Sequence, residues 1–137
     1  MYKIILGLLL LGSTLFAKVT DVEVTPQFIK NTKLKIIDIR TESEWAMAGV
    51  IKDAYLLTFF DERGNYDIEV FIENINKIVE KNEQFAIICY VGSRTHMVAN
   101  LLGKKNNYNV VNLKGGMDKL IKQGFKPTFH SLSISQK

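Results

Sequence analysis

The chain holds one cysteine, two prolines, two histidines and one tryptophan in 137 residues. A lone cysteine excludes an intramolecular disulfide and any zinc or iron–sulfur site built on several thiolates. With two histidines, a metal centre would have to be mostly carboxylate, and neither a metal nor a cofactor is expected. Two prolines and nine glycines argue against a long linker or a disordered chain. No aromatic residues interleave with the lysines as a single-strand binder requires, and no nucleic-acid motif occurs, so no nucleic-acid partner is expected. No apolar run is long enough to span a bilayer comfortably.

What is present is the balance of a soluble globular domain, 47% hydrophobic and 23% charged. The length suits one domain. The net charge of +4 is unevenly spread. Residues 18–99 carry 10 basic against 13 acidic side chains, while residues 100–137 carry 7 lysines against Asp118 alone. Without a nucleic-acid motif, this asymmetry reads as a solvated lysine-rich face that steers small anions at most.

The start has the order of a secretory leader. Lys3 supplies the positive end, Ile4 to Leu11 an apolar run broken only by Gly7, and Gly12 to Ala17 the small-residue end. Residues 1–17 are therefore expected to be removed, with no stable membrane anchor afterwards. The mature domain, residues 18–137, is expected outside the cytoplasm, in a bacterial periplasm. An unpaired cysteine in such a compartment marks a reactive thiol.

Along the mature chain, strands alternate with helices. Strands are expected at 19–24, 34–39, within 50–57, at 85–89 and at 109–113. Helices are expected at 26–31 behind the cap Thr25, at 42–47 behind Thr41, at 67–81, at 95–102 stopped by Gly103, and at 117–123. The segment 131–137 is polar and expected to fray. This alternation implies an α/β fold with a mostly parallel central sheet and helices on both faces, which binds ligands outside the C-terminal ends of its strands.

Cys89 sits at one such end. The segment Phe85-Ala86-Ile87-Ile88-Cys89-Tyr90-Val91-Gly92-Ser93-Arg94-Thr95 runs from strand through a tight loop into a helix. Backbone N–H groups curling around the sulfur, the helix N-terminus and the Arg94 guanidinium each favour a thiolate over a thiol. Gly92 allows the tight loop. Ser93 and Thr95 can cap the helix or donate to a bound oxyanion.

This loop resembles that of the rhodanese-like domains, Cys-x-x-Gly-x-Arg followed by Ser or Thr. Further motifs resemble theirs in order: Asp38-Ile39-Arg40, Glu44-Trp45, Ala48-Gly49-Val50-Ile51, Ala54 and Gly115-Gly116. The resemblance covers residues 20–127. It implies sulfur transfer through a persulfide on Cys89, from thiosulfate or a similar sulfane-sulfur donor to a thiol or cyanide. Tyr90, Val91, Gly92, Ser93, Arg94 and Thr95 would form the substrate loop. Four residues separate Cys89 from Arg94, where related phosphatases have five, so phosphatase activity is the weaker reading. A non-catalytic binding module on the same fold is the other alternative. The chain departs from the family where Tyr90 replaces a frequent basic residue and Asp53 a frequent glycine.

Asp38 and Arg40 are expected to support the site, Asp38 by accepting from the loop or orienting Arg94, and Arg40 by pairing with Glu44. Tyr90 is expected to shape the pocket entrance and Trp45 to line core or pocket wall. A general-base role for His96 is weighed against an outward orientation, and Met97 is expected to pack.

Overall fold

The computed structural model describes residues 18–129, so the expected leader 1–17 and the polar tail 131–137 lie outside the described residues. Five parallel strands form one sheet: β1 (Val19–Glu23), β2 (Lys35–Asp38), β3 (Tyr55–Leu56), β4 (Phe85–Ile88) and β5 (Val110–Lys114). Their spatial order is β1-β5-β4-β2-β3. Five α-helices connect them: α1 (Pro26–Asn31), α2 (Glu42–Ala48), α3 (Ile68–Asn76), α4 (Ser93–Asn100) and α5 (Gly116–Lys122).

The period of two along the strands divides the core. Ile37, Phe85, Ile87, Cys89 and Val110 pack with Phe71 and Ile75 of α3 and Val98 and Ala99 of α4. Ile36, Ala86, Ile88, Val111 and Leu113 pack with Phe28 and Ile29 of α1 and Met117 and Leu120 of α5. Helices therefore cover both faces, and the central strands are apolar on both sides, as the run Phe85 to Cys89 implies.

Local chemistry starts the helices where the sequence places them. Thr25 Oγ1 accepts the Phe28 N–H at 3.0 Å, ahead of Pro26. At α2, Thr41 Oγ1 accepts the Glu44 N–H and the Glu44 carboxylate accepts the Thr41 N–H, a reciprocal capping box. Asp67 Oδ1 accepts from Val70 N–H at 3.1 Å and starts α3.

Two elements differ from expectation. The helix expected to reach Lys81 ends at Asn76, because its last turn tightens: Lys77 N–H bonds Asn74 O and Ile78 N–H bonds Ile75 O. Ile78 and Val79 still reach the core from that turn. The helix expected from Thr95 begins at Ser93 and does not stop at Gly103. It widens into a π-helical turn, Leu101–Lys105, whose end is held by Asn106 Nδ2 donating to Leu101 O at 2.8 Å. Gly103 serves close packing, since a Cβ there would lie 2.4 Å from Val19 Cγ2. The short strand expected within 50–57 is Tyr55–Leu56, and Val50 pairs with Thr128.

Candidate active site

Cys89 directly follows β4, next to the sheet's central axis. Its side chain is fully buried. The Gly92 N–H donates to Cys89 Sγ at 3.2 Å, so the loop curls back over the sulfur as its composition implies. Thr95 Oγ1 lies 3.6 Å from Sγ and 3.1 Å from Gly92 O. A hydroxyl has one proton to give. With a thiol, Cys89 donates to Thr95 and Thr95 to Gly92 O; with a thiolate, the Thr95 proton turns to sulfur. Thr95 Oγ1 thus bridges the Cys89 sulfur and the Gly92 carbonyl and does not accept a backbone N–H as an N-cap would. Gly92 occupies the N-cap position of α4 without a side-chain bond.

The loop is held by the start of α5. Met117 N–H donates to Cys89 O, and Asp118 N–H to Tyr90 O, both at 2.9 Å. These are two of the N–H groups a helix start leaves unpaired. With the Cys89 and Tyr90 carbonyls drawn toward α5, that side of the loop is fixed. The approach is so close that a Cβ on Gly116 would lie 2.3 Å from Tyr90 O and 2.6 Å from Cys89 O. Gly116 also has φ +64. The Gly115-Gly116 pair, read from sequence as a turn, is where α5 seats the cysteine loop.

Arg94 projects from the first turn of α4 and meets Glu44 of α2. Nη1 donates to Oε2 at 2.7 Å and Nη2 to Oε1 at 2.6 Å, a bidentate pair. The Arg94 guanidinium and the Thr41 donors hold the Glu44 carboxyl down at about 2. Arg94 is in turn held above its usual value, first by the hydrogen bonds to Glu44 and further by that carboxylate's charge. Sequence reasoning missed Glu44 as a site residue. Its signal was present in the spacing Thr41-x-x-Glu44, which fixes the carboxylate at the helix start.

The supporting residues pair differently from expectation. Asp38 neither orients Arg94 nor bonds the loop. It binds Arg40, with Nε donating to Oδ1 at 2.9 Å and Nη2 to Oδ2 at 2.7 Å, both side chains fully buried. Arg40 does not pair with Glu44. Its Nη2 also donates to Gly49 O at 2.7 Å, and its carbonyl accepts from Thr58 Oγ1 at 2.7 Å. The Asp-x-Arg motif is therefore a buried brace tying β2 to the end of α2 and to the segment after β3. The physical reason is reach: two residues apart at a strand end, the guanidinium folds back on its own neighbour.

Tyr90 and Val91 are exposed, and Tyr90 Oη sits 3.5 Å from Asp118 Oδ1, so Tyr90 stands at the surface of the loop as expected. Ser93 is exposed. Trp45 is half-buried, with its Nε1 buried and unpaired among the described residues. His96 is exposed and lines a different depression from any that reaches Arg94. Met97, expected to pack, is exposed instead, because it falls on the outer side of α4. A depression of about 570 Å³ beside Arg94 is lined by Glu44, Asp61 and Glu62, so its charge disfavours anions on that side. Among the described residues, no group of three or more His, Cys, Asp or Glu side chains is placed to hold a metal ion.

The fold is shared with solved structures. A rhodanese-like domain protein from Staphylococcus aureus is 27% identical, with a TM-score of 0.58, covering 80% of this chain and 98% of that one. A protein from Staphylococcus saprophyticus subsp. saprophyticus is 28% identical, with a TM-score of 0.56, covering 76% and 97%. The rhodanese-like domain of an Anabaena sp. protein shares the fold at 19% identity, with a TM-score of 0.58 and coverage of 84% and 86%. No curated protein matches the sequence. The family model of the rhodanese-like domain matches residues 22–123, from β1 to the end of α5, and the chain belongs to the rhodanese-like domain family.

Proposed function

We propose that this protein is a sulfurtransferase that carries sulfur as a persulfide on Cys89. The observation that carries the reading is the seat of the sulfur: Cys89 Sγ accepts the Gly92 N–H at 3.2 Å, under a loop that leads into α4. In the first step the Cys89 thiolate attacks the outer sulfur of a sulfane donor. With thiosulfate, the S–S bond breaks, sulfite leaves with the bonding electron pair, and a Cys89 persulfide anion remains. In the second step an acceptor thiolate or cyanide attacks the outer sulfur, and Cys89 leaves as thiolate. No net oxidation occurs, so no redox cofactor enters. This is nucleophilic covalent catalysis, and ping-pong kinetics are its signature.

The chain's own groups have distinct parts in this scheme. The Gly92 N–H and the Thr95 hydroxyl stabilise negative sulfur. Arg94 lends positive charge near Cys89, and Glu44 fixes its position while offsetting much of that charge. The offset, with the acidic depression beside it, supports a donor or acceptor carrying less negative charge than thiosulfate as the physiological one. Because Cys89 is fully buried, loading requires residues 91 and 92 to move outward while the α5 contacts hold Cys89 and Tyr90. The leader-like segment 1–17 supports the same chemistry outside the cytoplasm. No helix among the described residues is long and apolar enough to cross a membrane.

The test is to incubate reduced protein with thiosulfate, and separately with a low-molecular-weight alkyl persulfide, and to weigh the intact chain. A gain of one sulfur, about 32 Da, on the wild type and none on Cys89→Ser is the expected result. No gain from either donor, on folded protein with a free thiol, would refute sulfur transfer and leave a binding module. Turnover of an aryl phosphate without persulfide would favour the phosphatase reading.

A further inference from the structure

Arg94 follows the cysteine loop directly, yet its guanidinium is committed to a carboxylate of the protein itself. Glu44 takes the end-on edge, with Nη1 donating to Oε2 at 2.7 Å and Nη2 to Oε1 at 2.6 Å. This planar fork is the geometry with which arginine otherwise grips an oxyanion. Glu44 is not free to leave it. Its Oε2 also accepts the Thr41 N–H at 3.0 Å and the Thr41 hydroxyl at 3.1 Å, so releasing Arg94 disturbs the start of α2 as well. A dianionic donor therefore meets a guanidinium whose end-on edge is filled by a fixed carboxylate.

The surroundings of the pair add negative charge. The depression that Arg94 and Glu44 line is also lined by Phe60, Asp61 and Glu62. Ser43 Oγ donates to Glu62 Oε1 at 2.7 Å and ties that carboxylate to α2. Asp61 Oδ1 accepts the N–H groups of Arg63 and Asn65 at 2.8 and 2.9 Å. Neither Asp61 nor Glu62 has a lysine or arginine ion-pair partner among the described residues. Three carboxylates thus stand against one guanidinium. The segments that carry them follow β2 and β3, at the end of the parallel sheet where Cys89 follows β4.

We infer that Glu44 is a specificity-determining residue, which turns the site away from dianionic donors and toward alkyl persulfides whose tail is uncharged or cationic. The inference rests on the sulfurtransferase reading above. In the reaction the Cys89 thiolate attacks the outer sulfur of R–S–SH. The S–S bond breaks, RS⁻ leaves with the bonding pair and takes a proton from water, and the outer sulfur stays on Cys89 with its own proton. A departing thiolate carries less charge than departing sulfite, so it needs less of the positive charge that Glu44 offsets. A cationic tail is attracted by Asp61 and Glu62, and the half-buried Phe60 offers an alkyl chain an apolar surface.

The experiment measures second-order loading rates of the full chain, from the mass of the intact protein after rapid quenching. The donors are aminoethyl, hydroxyethyl and carboxyethyl persulfides, which differ in tail charge, and thiosulfate. On wild type the aminoethyl donor is expected to load at least about tenfold faster than the carboxyethyl donor, with a smaller spread at about 0.5 M salt. Glu44→Gln keeps an oxygen for Arg94 and removes the charge. It is expected to narrow the spread to about threefold and to raise thiosulfate loading about tenfold relative to the hydroxyethyl donor. Glu62→Gln, which leaves the Arg94 pair in place, is expected to narrow the spread part-way, and Glu69→Gln on the exposed side of α3 to leave it unchanged. Slower loading in Glu44→Gln with all ratios kept would make Glu44 merely structural and overturn the inference. A flat or carboxyethyl-first order on folded wild type would overturn it too. If Glu44→Gln does not fold, the wild-type order and Glu62→Gln decide the matter. No loading of wild type from any donor would refute sulfur transfer itself, and this inference with it.

Discussion

Replacing Gly116 with alanine tests whether the start of α5 is what seats the cysteine loop. Two effects add at this position. The backbone has φ +64, where an L side chain costs about 1 kcal/mol. The new Cβ would also lie 2.3 Å from Tyr90 O and 2.6 Å from Cys89 O, so both carbonyls must retreat. Their bonds from Asp118 and Met117 are then lost or lengthened, at about 1 kcal/mol each. The sum is about 3 kcal/mol, which for a domain of this size lowers the melting temperature by about 10 °C. Gly124 supplies the control: it has φ +92 with nothing within 4 Å of an added Cβ. Gly124→Ala should show the backbone effect alone, about 1 kcal/mol. Urea unfolding of the two variants gives the difference directly, and persulfide loading should slow only in Gly116→Ala. If the two variants lose equal stability and load at equal rates, the carbonyl contacts are not why this position is glycine.

Further outcomes follow from the charged groups and the hydroxyl at the site. Glu44 has a folded-state value of about 2 against an ordinary 4.5, so its stabilisation is fully present above 4.5 and is lost as pH falls toward 2. The urea midpoint of wild type should therefore fall through that window more than that of Glu44→Gln, and parallel pH profiles would refute the pairing. Because the pair is partly exposed, its loss at neutral pH should be no more than about 1 kcal/mol. Asp38→Asn leaves the buried Arg40 charge unpaired and should cost about 3–5 kcal/mol; calorimetry showing less than Glu44→Gln would sink the brace interpretation. Thr95→Val removes the hydroxyl beside Cys89 Sγ and should slow persulfide formation about tenfold with little change in fold, read by stopped-flow loading with thiosulfate and checked by circular dichroism.

The parts of the fold that were legible in the sequence are those set by near neighbours. Period-two apolar strands, the Thr25-Pro26 and Thr41 starts, and the Cys89-to-Arg94 loop each depend on residues within a few positions. What spacing could not supply is pairing across the chain. Glu44 and Arg94 are 50 residues apart and meet only because α2 and α4 begin at the same end of neighbouring strands. The same limit hid the reason for Gly116, which is set by carbonyls more than twenty residues earlier. Gly103 misled for a related cause. A glycine late in a helical pattern reads as a stop, yet here it admits the backbone of Lys18 and the side chain of Val19. For Asp38 and Arg40 the motif pointed to the right place, but side-chain reach decided the partner.

The seating of the loop through main-chain atoms separates two kinds of evolutionary freedom. The positions of the Cys89 and Tyr90 carbonyls are set by backbone bonds to α5, and the Cys89 sulfur receives its hydrogen bond from a glycine N–H. None of these contacts uses the side chains of Tyr90 or Val91, which face solvent. Residues 90 and 91 can thus vary without disturbing the sulfur's seat, and under the proposed sulfur transfer they are the positions open to selection for new donors or acceptors. Under that proposal a lineage carrying this domain could change what it serves while keeping its chemistry, and the tyrosine at position 90 is the kind of residue that arrangement permits.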